Sequence, residues 1–158
     1  MLDKRKFYIN GKWVSPSKPN DLDVINPSTE EAFATISLGS KEDTNAAVSA
    51  AKKALVTWSE SSKEERVKLL EKLLDIYKKR YSEMTEAISM EMGAPMDWSN
   101  DAQTSSGQSH LEDFIVRLKE FKFDEQFSPE SNNRICYEPI GVCGLITPWN
   151  WPINQIAL

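Results

Sequence analysis

The spacing of hydrophobic residues changes along the chain. In the first part of the chain, this spacing predicts short β-strands. Two runs of aromatic and β-branched residues, 7–9 and 12–14, flank the dipeptide Asn10-Gly11. Asn-Gly accepts the two positive φ angles of a type I′ turn, so these runs predict a β-hairpin. Two further strands are predicted over 22–26 and 31–37, with a proline-containing turn between them.

From Ser40 onward the apolar residues recur at helical spacing. Ser40 with Asp43, and Ser62 with Glu65, have the spacing of capping pairs and predict the starts of two helices. An alanine-rich stripe predicts that the first helix is closely packed. The second helix is predicted to be the longest and to end at Gly93. The two stripes consist of Ala46, Ala47, Ala50, Ala51, Ala54, Leu55 and Trp58, and of Val67, Leu70, Leu73, Leu74, Tyr77, Tyr81, Met84 and Ile88.

A third helix is predicted over 97–119. Its first half, 103–109, contains serine, threonine and glycine, which lower helix propensity but suit the close approach of another element. The predicted core side chains of this helix are Ala102, Leu111, Phe114, Ile115 and Leu118. Residues 121–133 are polar and irregular, as in a connector or an extended arm.

The last part of the chain returns to strand-like spacing. Runs 134–139 and 141–146 predict two strands, and Pro152 is suited to the first turn of a helix that continues to Leu158. A strand, a turn and an apolar helix start without a polar exit suggest one part of a larger α/β fold.

Composition narrows the class of protein. The 158 residues are 40% hydrophobic and 27% charged, which is typical of a folded soluble domain and not of a disordered chain. The net charge is −5 and the basic residues alternate with acidic ones, which argues against nucleic acid or an anionic membrane as partner. No apolar run is long enough for a membrane span and no secretory signal is recognisable, so a cytoplasmic location is expected.

The candidate metal and nucleophile side chains are few. Cys136 and Cys143 fit no metal or redox spacing and are expected to be buried, reduced thiols. His110 is the only histidine and is expected to be a packing or solvent-facing residue of a helix. No metal site is therefore predicted.

The stretch GVCGLITPWNWP, residues 141–152, is the strongest candidate for chemistry. A strand, a tight turn and a helix start form the place at which α/β sheets bind ligands. No G-x-G-x-x-G fingerprint is present, however. The residues alone leave two alternatives open, a ligand-binding turn and a rigid structural turn with a buried Trp149.

The same stretch resembles the motif that opens the dinucleotide-binding core of the NAD(P)-dependent aldehyde dehydrogenases. The segments FYINGKWV, VINPSTEE and EMGAP are similar to further segments of that family, in the same order. The resemblance runs from Phe7 to Leu158 and corresponds to the N-terminal portion of the family's fold.

The resemblance implies an α/β fold that contains a β-hairpin, helices, the start of a Rossmann-like parallel sheet and part of an oligomerisation arm. Residues 1–120 would form the hairpin and the helical part of the cofactor-binding domain. Residues 121–140 would supply strands of the arm. Residues 141–158 would form the first strand, turn and helix start of the dinucleotide-binding core.

The resemblance also implies roles for five residues. Asn150 would donate its amide to the carbonyl oxygen of an aldehyde that a cysteine thiolate attacks, and Ile146, Thr147, Pro148 and Trp149 would line NAD or NADP. The complete oxidoreductase would convert a small-molecule aldehyde to a carboxylic acid through a thiohemiacetal and a thioester.

The family's nucleophile and base lie downstream of this region, and Cys136 and Cys143 do not match the nucleophile. The chain alone is therefore expected to be inactive and poorly stable. The complete protein is expected to form a dimer or tetramer. The alternative is a truncated, non-catalytic module for helical interaction or oligomerisation.

Overall fold

A computed structural model describes all residues from Met1 to Leu158 as short strands, a set of helices and a final extended segment. The strands are β1 Leu2–Asp3, β2 Phe7–Ile9, β3 Lys12–Val14, β4 Asp21–Asn26, β5 Glu31–Ser37, β6 Asp124–Gln126 and β7 Arg134–Cys136. The helices are α1 Lys41–Trp58, α2 Lys63–Lys79, α3 Tyr81–Met92, α4 Met96–Trp98, a π-helical segment Ser99–Thr104, α5 Ser105–Glu120 and α6 Pro152–Ala157. None of these helices combines the length and the apolar character that crossing a membrane requires.

The N-terminal strands form where the sequence predicts them. β2 and β3 pair as an antiparallel hairpin, and Asn10 and Gly11 have φ angles of 51° and 74°, as a type I′ turn requires. β4 pairs antiparallel with β5. A strand that the sequence did not predict, β1, adds parallel to the other side of β5 and gives a three-stranded sheet of order β1-β5-β4.

Both predicted capping pairs are present. The Ser40 hydroxyl accepts from the Asp43 main chain while the Asp43 carboxylate accepts from the Ser40 main chain, and Ser62 and Glu65 repeat the arrangement. The Asp43 carboxylate also accepts from the main-chain N–H of Ser17 at 2.9 Å, which ties α1 to the segment between β3 and β4. These main-chain donors lower the pKa of Asp43.

The predicted long second helix is in fact two helices. Arg80 leaves helical geometry (φ −108°, ψ 17°) and separates α2 from α3. The hydrophobic spacing continues across Arg80, so periodicity alone cannot reveal this break. The predicted end is confirmed, because Gly93 has a left-handed φ of 70° and caps α3.

The core of the chain lies between α2 and α5. Val67, Ile115 and Leu118 are buried against one another, with Leu70, Leu74 and Phe123 partly buried around them. Two predicted core residues lie outside it, since Leu73 and Phe114 are 47% and 52% exposed. The core is small, because only 14 of 158 residues are buried.

The prediction of a closely packed α1 is wrong for this chain. The alanine stripe is exposed or half-buried, and the only fully buried residue of α1 is Asp43. The reason is that little of the chain lies against this helix, so its apolar face has no cover.

The predicted third helix runs from Met96 to Glu120 in three consecutive pieces, α4, the π-helical segment and α5. The small residues of its first half allow a close approach, as expected. A Cβ added to Gly107 would lie 2.7 Å from Tyr77 Oη and 2.8 Å from Ile153 Cγ1, so only glycine lets α2 and α6 reach α5 here.

The predicted strand over 141–146, and with it the start of a parallel sheet, does not form in this chain. No residue from 138 to 150 makes a hydrogen bond between main-chain groups. A β-strand is held by its neighbour, and this segment has none beside it. Of the run 134–139 only Arg134–Cys136 is a strand, paired with β6.

The predicted burial of the two cysteines is also wrong, because Cys136 and Cys143 are both free and exposed. Cys136 lies on an edge strand and Cys143 lies in the unpaired segment. Both positions lack a covering layer, which composition and spacing could not reveal.

The chain as a whole leaves an unusually large surface uncovered. It exposes 11799 Å², whereas a compact monomer of its mass exposes about 8,000 Å². Much of the excess is apolar, since Ile140, Leu145 and Ile146 are each more than 85% exposed.

Candidate functional site

The candidate site is the turn that joins the unpaired segment to α6. Residues 149–151 bend sharply, and Trp151 stands just before the helix with φ −147° and ψ 66°. Pro152 occupies the first turn of α6, where its missing N–H costs nothing. The local sequence therefore explains both the bend and the helix start.

The structure places the five predicted site residues on one continuous exposed stretch. Asn150 is exposed, and Ile146 and Trp149 are 99% and 78% exposed. The alternative of a structural turn built around a buried Trp149 is therefore wrong for this chain.

The chemistry that the turn offers is uncharged. No Asp, Glu, Lys, Arg or His occurs from Pro139 to Leu158. The Asn150 amide is a donor that does not titrate, which suits the stabilisation of negative charge on an oxygen at any ordinary pH. These residues supply no acid, base or nucleophile of their own.

Helix α6 is fixed to α5 by contacts that the sequence analysis did not identify. Trp151 Nε1 donates to Ser106 Oγ at 3.0 Å, and His110 Nε2 lies 2.7 Å from Asn154 Oδ1. The Trp151 ring also meets Trp98 edge to face, with centroids 6.2 Å apart. In the sequence, only the small residues of 103–109 pointed to these contacts. They predicted that another element packs closely on this helix but did not identify α6.

The residues present fit one wall of a dinucleotide site. Ile146 to Trp149 offer an exposed apolar surface and main-chain groups without partners, which suit the flat rings of a nicotinamide cofactor. They provide no glycine-rich cradle for phosphate, and α6 is only six residues long. The phosphates would need residues beyond this turn.

Elsewhere on the surface, we find no group of side chains arranged for catalysis. A groove of about 550 Å³ lies between α1 and the residues after β7, and its walls include Leu55, Tyr137 and Pro139. No three His, Cys, Asp or Glu side chains are placed together to hold a metal ion.

Known proteins resemble the chain over nearly its whole length. The sequence pattern of the Aldehyde dehydrogenase family matches residues 13–158. The 3-succinoylsemialdehyde-pyridine dehydrogenase of a Pseudomonas species is 42% identical, over 99% of the chain and 32% of the relative. A putative aldehyde dehydrogenase of Staphylococcus epidermidis is also 42% identical, over all of the chain and 33% of the relative.

Solved structures give the same relationship. The crystal structure of an aldehyde dehydrogenase from Bartonella henselae superposes with a TM-score of 0.97 at 56% identity, over 99% of this chain and 33% of that one. A mutant of aldehyde dehydrogenase C from Pseudomonas syringae, in complex with NAD+ and octanal, superposes at 0.92 with 38% identity, over 97% and 31%. Betaine aldehyde dehydrogenase from Staphylococcus aureus, in complex with NAD+, gives 0.87 at 29% identity, over 99% and 32%.

The chain thus spans about one third of the length of these relatives. A match of the family pattern to nearly every residue, together with the superposition at 56% identity, leaves one assignment: the chain belongs to the aldehyde dehydrogenase family.

Proposed function

We propose that the chain supplies the N-terminal third of an NAD(P)-dependent aldehyde dehydrogenase, an oxidoreductase that converts a small-molecule aldehyde to a carboxylic acid. One observation carries the proposal. Asn150 presents its amide from an exposed, uncharged turn between an apolar segment and a helix start.

Asn150 acts on the carbonyl oxygen of the aldehyde. When a thiolate adds to the carbonyl carbon, the oxygen gains negative charge, and an amide N–H already aimed at it stabilises the transition state. A donor of this kind contributes about 3–4 kcal/mol in acyl transfer. Asparagine serves because it donates without losing a proton of its own.

Ile146, Thr147, Pro148 and Trp149 form part of the wall that receives the cofactor. NAD(P)+ when bound accepts the aldehyde hydrogen as a hydride. The residues of this wall would hold the cofactor through main-chain and van der Waals contacts. NAD+ is the first cofactor to test, because it is the one named with two of the related structures.

The thiolate and the base that activates water come from outside these 158 residues. Cys136 and Cys143 precede Asn150 in the chain, on β7 and in the unpaired segment, and do not match the family's nucleophile. Alone, the chain therefore has no turnover. Its uncovered apolar surface is consistent with this, since a further part of the fold would cover it.

The assignment of parts follows from the same proposal. Residues 1–120 carry the hairpin and helices, 121–140 carry strands of an oligomerisation arm, and 141–158 open the dinucleotide-binding core. The pairing of β6 with β7 is evidence for the arm. Two strands alone are only marginally stable, so this hairpin needs a further surface to pack on, such as another subunit. The complete protein forms a dimer or tetramer.

A chimera tests the proposal. Residues 1–158 replace the corresponding third of the Bartonella henselae enzyme, and NAD+ reduction is followed with a panel of aldehydes that includes octanal. We expect turnover by the chimera and none by the 158-residue chain alone. Asn150→Ala in the chimera lowers kcat about 10²- to 10³-fold.

Two further variants sharpen this test. Asn150→Asp keeps the shape of the side chain but removes the donor, so it is as inactive as Asn150→Ala. Asn45→Ala, which removes an exposed amide on α1, leaves kcat unchanged. Normal kcat in Asn150→Ala would refute the role of Asn150. A chimera that folds without turnover would favour the alternative, a non-catalytic interaction or oligomerisation module.

A further inference from the structure

Within these 158 residues, the hydrogen bonds that fix the chain nearest to Asn150 are made by the residues that follow it. Residues 138–150 make no hydrogen bonds between main-chain groups, and 142–150 are all exposed. The first side chain after Asn150 that is fixed to the body of the protein is Trp151. Whatever holds Trp151 and the start of α6 therefore also restrains the main chain at Asn150, from which the amide projects.

Ser106 makes the hydrogen bond that joins Trp151 to α5, beside the packing of its ring on Trp98. Its hydroxyl accepts from Trp151 Nε1 at 3.0 Å and donates to the main-chain oxygen of Gln103 at 2.7 Å. The second contact fixes the hydroxyl hydrogen, so the lone pairs of Ser106 Oγ are left to face the indole. The serine thus has one defined orientation, in which it is an acceptor for Trp151.

His110 makes a matching contact one helical turn further along α5. Its Nε2 lies 2.7 Å from Asn154 Oδ1, and because an amide oxygen only accepts, the ring nitrogen donates. Ser106 and His110 are four residues apart and so lie on one face of α5. Gly107, between them, brings Ile153 against the helix.

We infer that Ser106 and His110 are positioning residues, which hold the turn so that the Asn150 amide stands where the substrate oxygen binds. The inference rests on the proposed function, because it acts through Asn150. Productive sites need their groups held to about 0.5 Å, and a misplacement of about 1 Å costs about 10²-fold in rate. Two side-chain hydrogen bonds on the residues that follow Asn150 supply that restraint.

The first experiment compares Ser106→Ala with Ser105→Ala in the chimera. Ser105 also donates to a main-chain oxygen, that of Asp101 at 2.6 Å, but makes no hydrogen bond to Trp151 or α6. We expect Ser106→Ala to lower kcat about 10- to 100-fold with little change in the KM for NAD+, while Ser105→Ala keeps kcat. Equal kcat in the two variants would overturn the inference.

A double-mutant cycle then separates positioning from general stability. In the Asn150→Ala background, Ser106→Ala has nothing left to position and lowers kcat no further. If Ser106→Ala lowers kcat by the same factor in both backgrounds, Ser106 acts independently of Asn150 and the inference fails. If Asn150→Ala itself leaves kcat unchanged, the proposed function fails instead.

His110→Ala supplies a second, independent cycle with Asn150→Ala. The kcat of His110→Ala is measured with and without Asn150→Ala. This cycle tests the inference even if Ser106→Ala does not fold. Circular dichroism and gel filtration establish folding for each variant. The inference requires that His110→Ala lowers kcat in the Asn150 chimera and not in the Asn150→Ala chimera.

Discussion

The phenolic hydroxyl of Tyr77 donates to the main-chain oxygen of Thr104 across a distance of 2.8 Å. This buried hydrogen bond joins α2 to the last residue of the π-helical segment. Thr104 is fully buried, and its own hydroxyl lies 3.0 Å from that of Thr85 on α3. In a π-helical turn the main-chain groups depart from the regular α-helical hydrogen bonds. The Tyr77 hydroxyl supplies a donor to one of these main-chain oxygens.

The Tyr77 hydroxyl makes stability depend on pH at the alkaline end. Burial, reinforced by Tyr81, raises the pKa of Tyr77 from 10.0 to about 12. The folded state therefore favours the neutral phenol, so this stabilisation is complete below pH 10 and is lost as the pH rises towards 12. We expect the Tm of the chimera to fall across that window more steeply than the Tm of its Tyr77→Phe variant. Tyr8→Phe, at a 64% exposed tyrosine, is the control and keeps the steep fall.

Gly107→Ala tests the close packing of three helices at one point. The added Cβ would lie 2.7 Å from Tyr77 Oη and 2.8 Å from Ile153 Cγ1, which forces one of them to move. Overpacking of this kind costs about 1–3 kcal/mol. We expect a lower Tm and, because α6 shifts, a lower kcat. Gly39→Ala, whose Cβ would lie 3.7 Å from Phe7 Cζ, is the matched control and changes neither quantity.

Gly93 and Gly11 allow backbone strain to be separated from crowding. Their φ angles are 70° and 74°, so alanine at either position carries the left-handed penalty of about 1–2 kcal/mol. Only at Gly93 would the Cβ also meet a neighbour, Pro27 Cγ at 2.7 Å. We expect Gly93→Ala to lower the Tm more than Gly11→Ala does. Equal losses would mean that Pro27 yields without cost.

The reactivity of Cys143 reports whether the segment around it becomes covered. Both thiols are exposed in the chain alone, so an alkylating reagent should modify both, Cys136 more slowly because desolvation and the neighbouring Asp124 carboxylate raise the pKa of its thiol. In the chimera, we expect Cys143 to be protected, because the proposed fold covers residues 141–146. Mass spectrometry of the peptides identifies each site. Rapid alkylation of Cys143 in the folded chimera would contradict the proposed covering of this segment.

Local signals in the sequence predicted the parts of the fold that local forces determine. The Asn10-Gly11 turn, the Ser40 and Ser62 caps and the Gly93 helix end each depend on a few neighbouring residues, and each forms as predicted. The break at Arg80 was not predictable from spacing, because the apolar stripe continues through it.

Features that depend on a distant partner were less predictable. The run 141–146 has the composition of a strand, but strand formation needs a neighbour to receive its hydrogen bonds. The alanine stripe of α1 is a second example. Its composition predicts a buried face, but burial requires another element to pack on it, and the sequence does not identify that element. At the candidate site, the family motif identified Asn150, whereas the Ser106 and His110 contacts appear only once α5 and α6 are placed side by side.

The unpaired apolar segment also bears on how proteins of this family are made. In a relative three times as long, about 320 residues remain to be synthesised after this third, which takes roughly 16–64 s at bacterial and eukaryotic rates. Whenever these 158 residues stand alone, the stretch around Ile140, Leu145 and Ile146 is open to water, and its free main-chain groups can pair with a strand of another chain. We therefore expect a chain that stops near Leu158 to aggregate more readily than the complete protein.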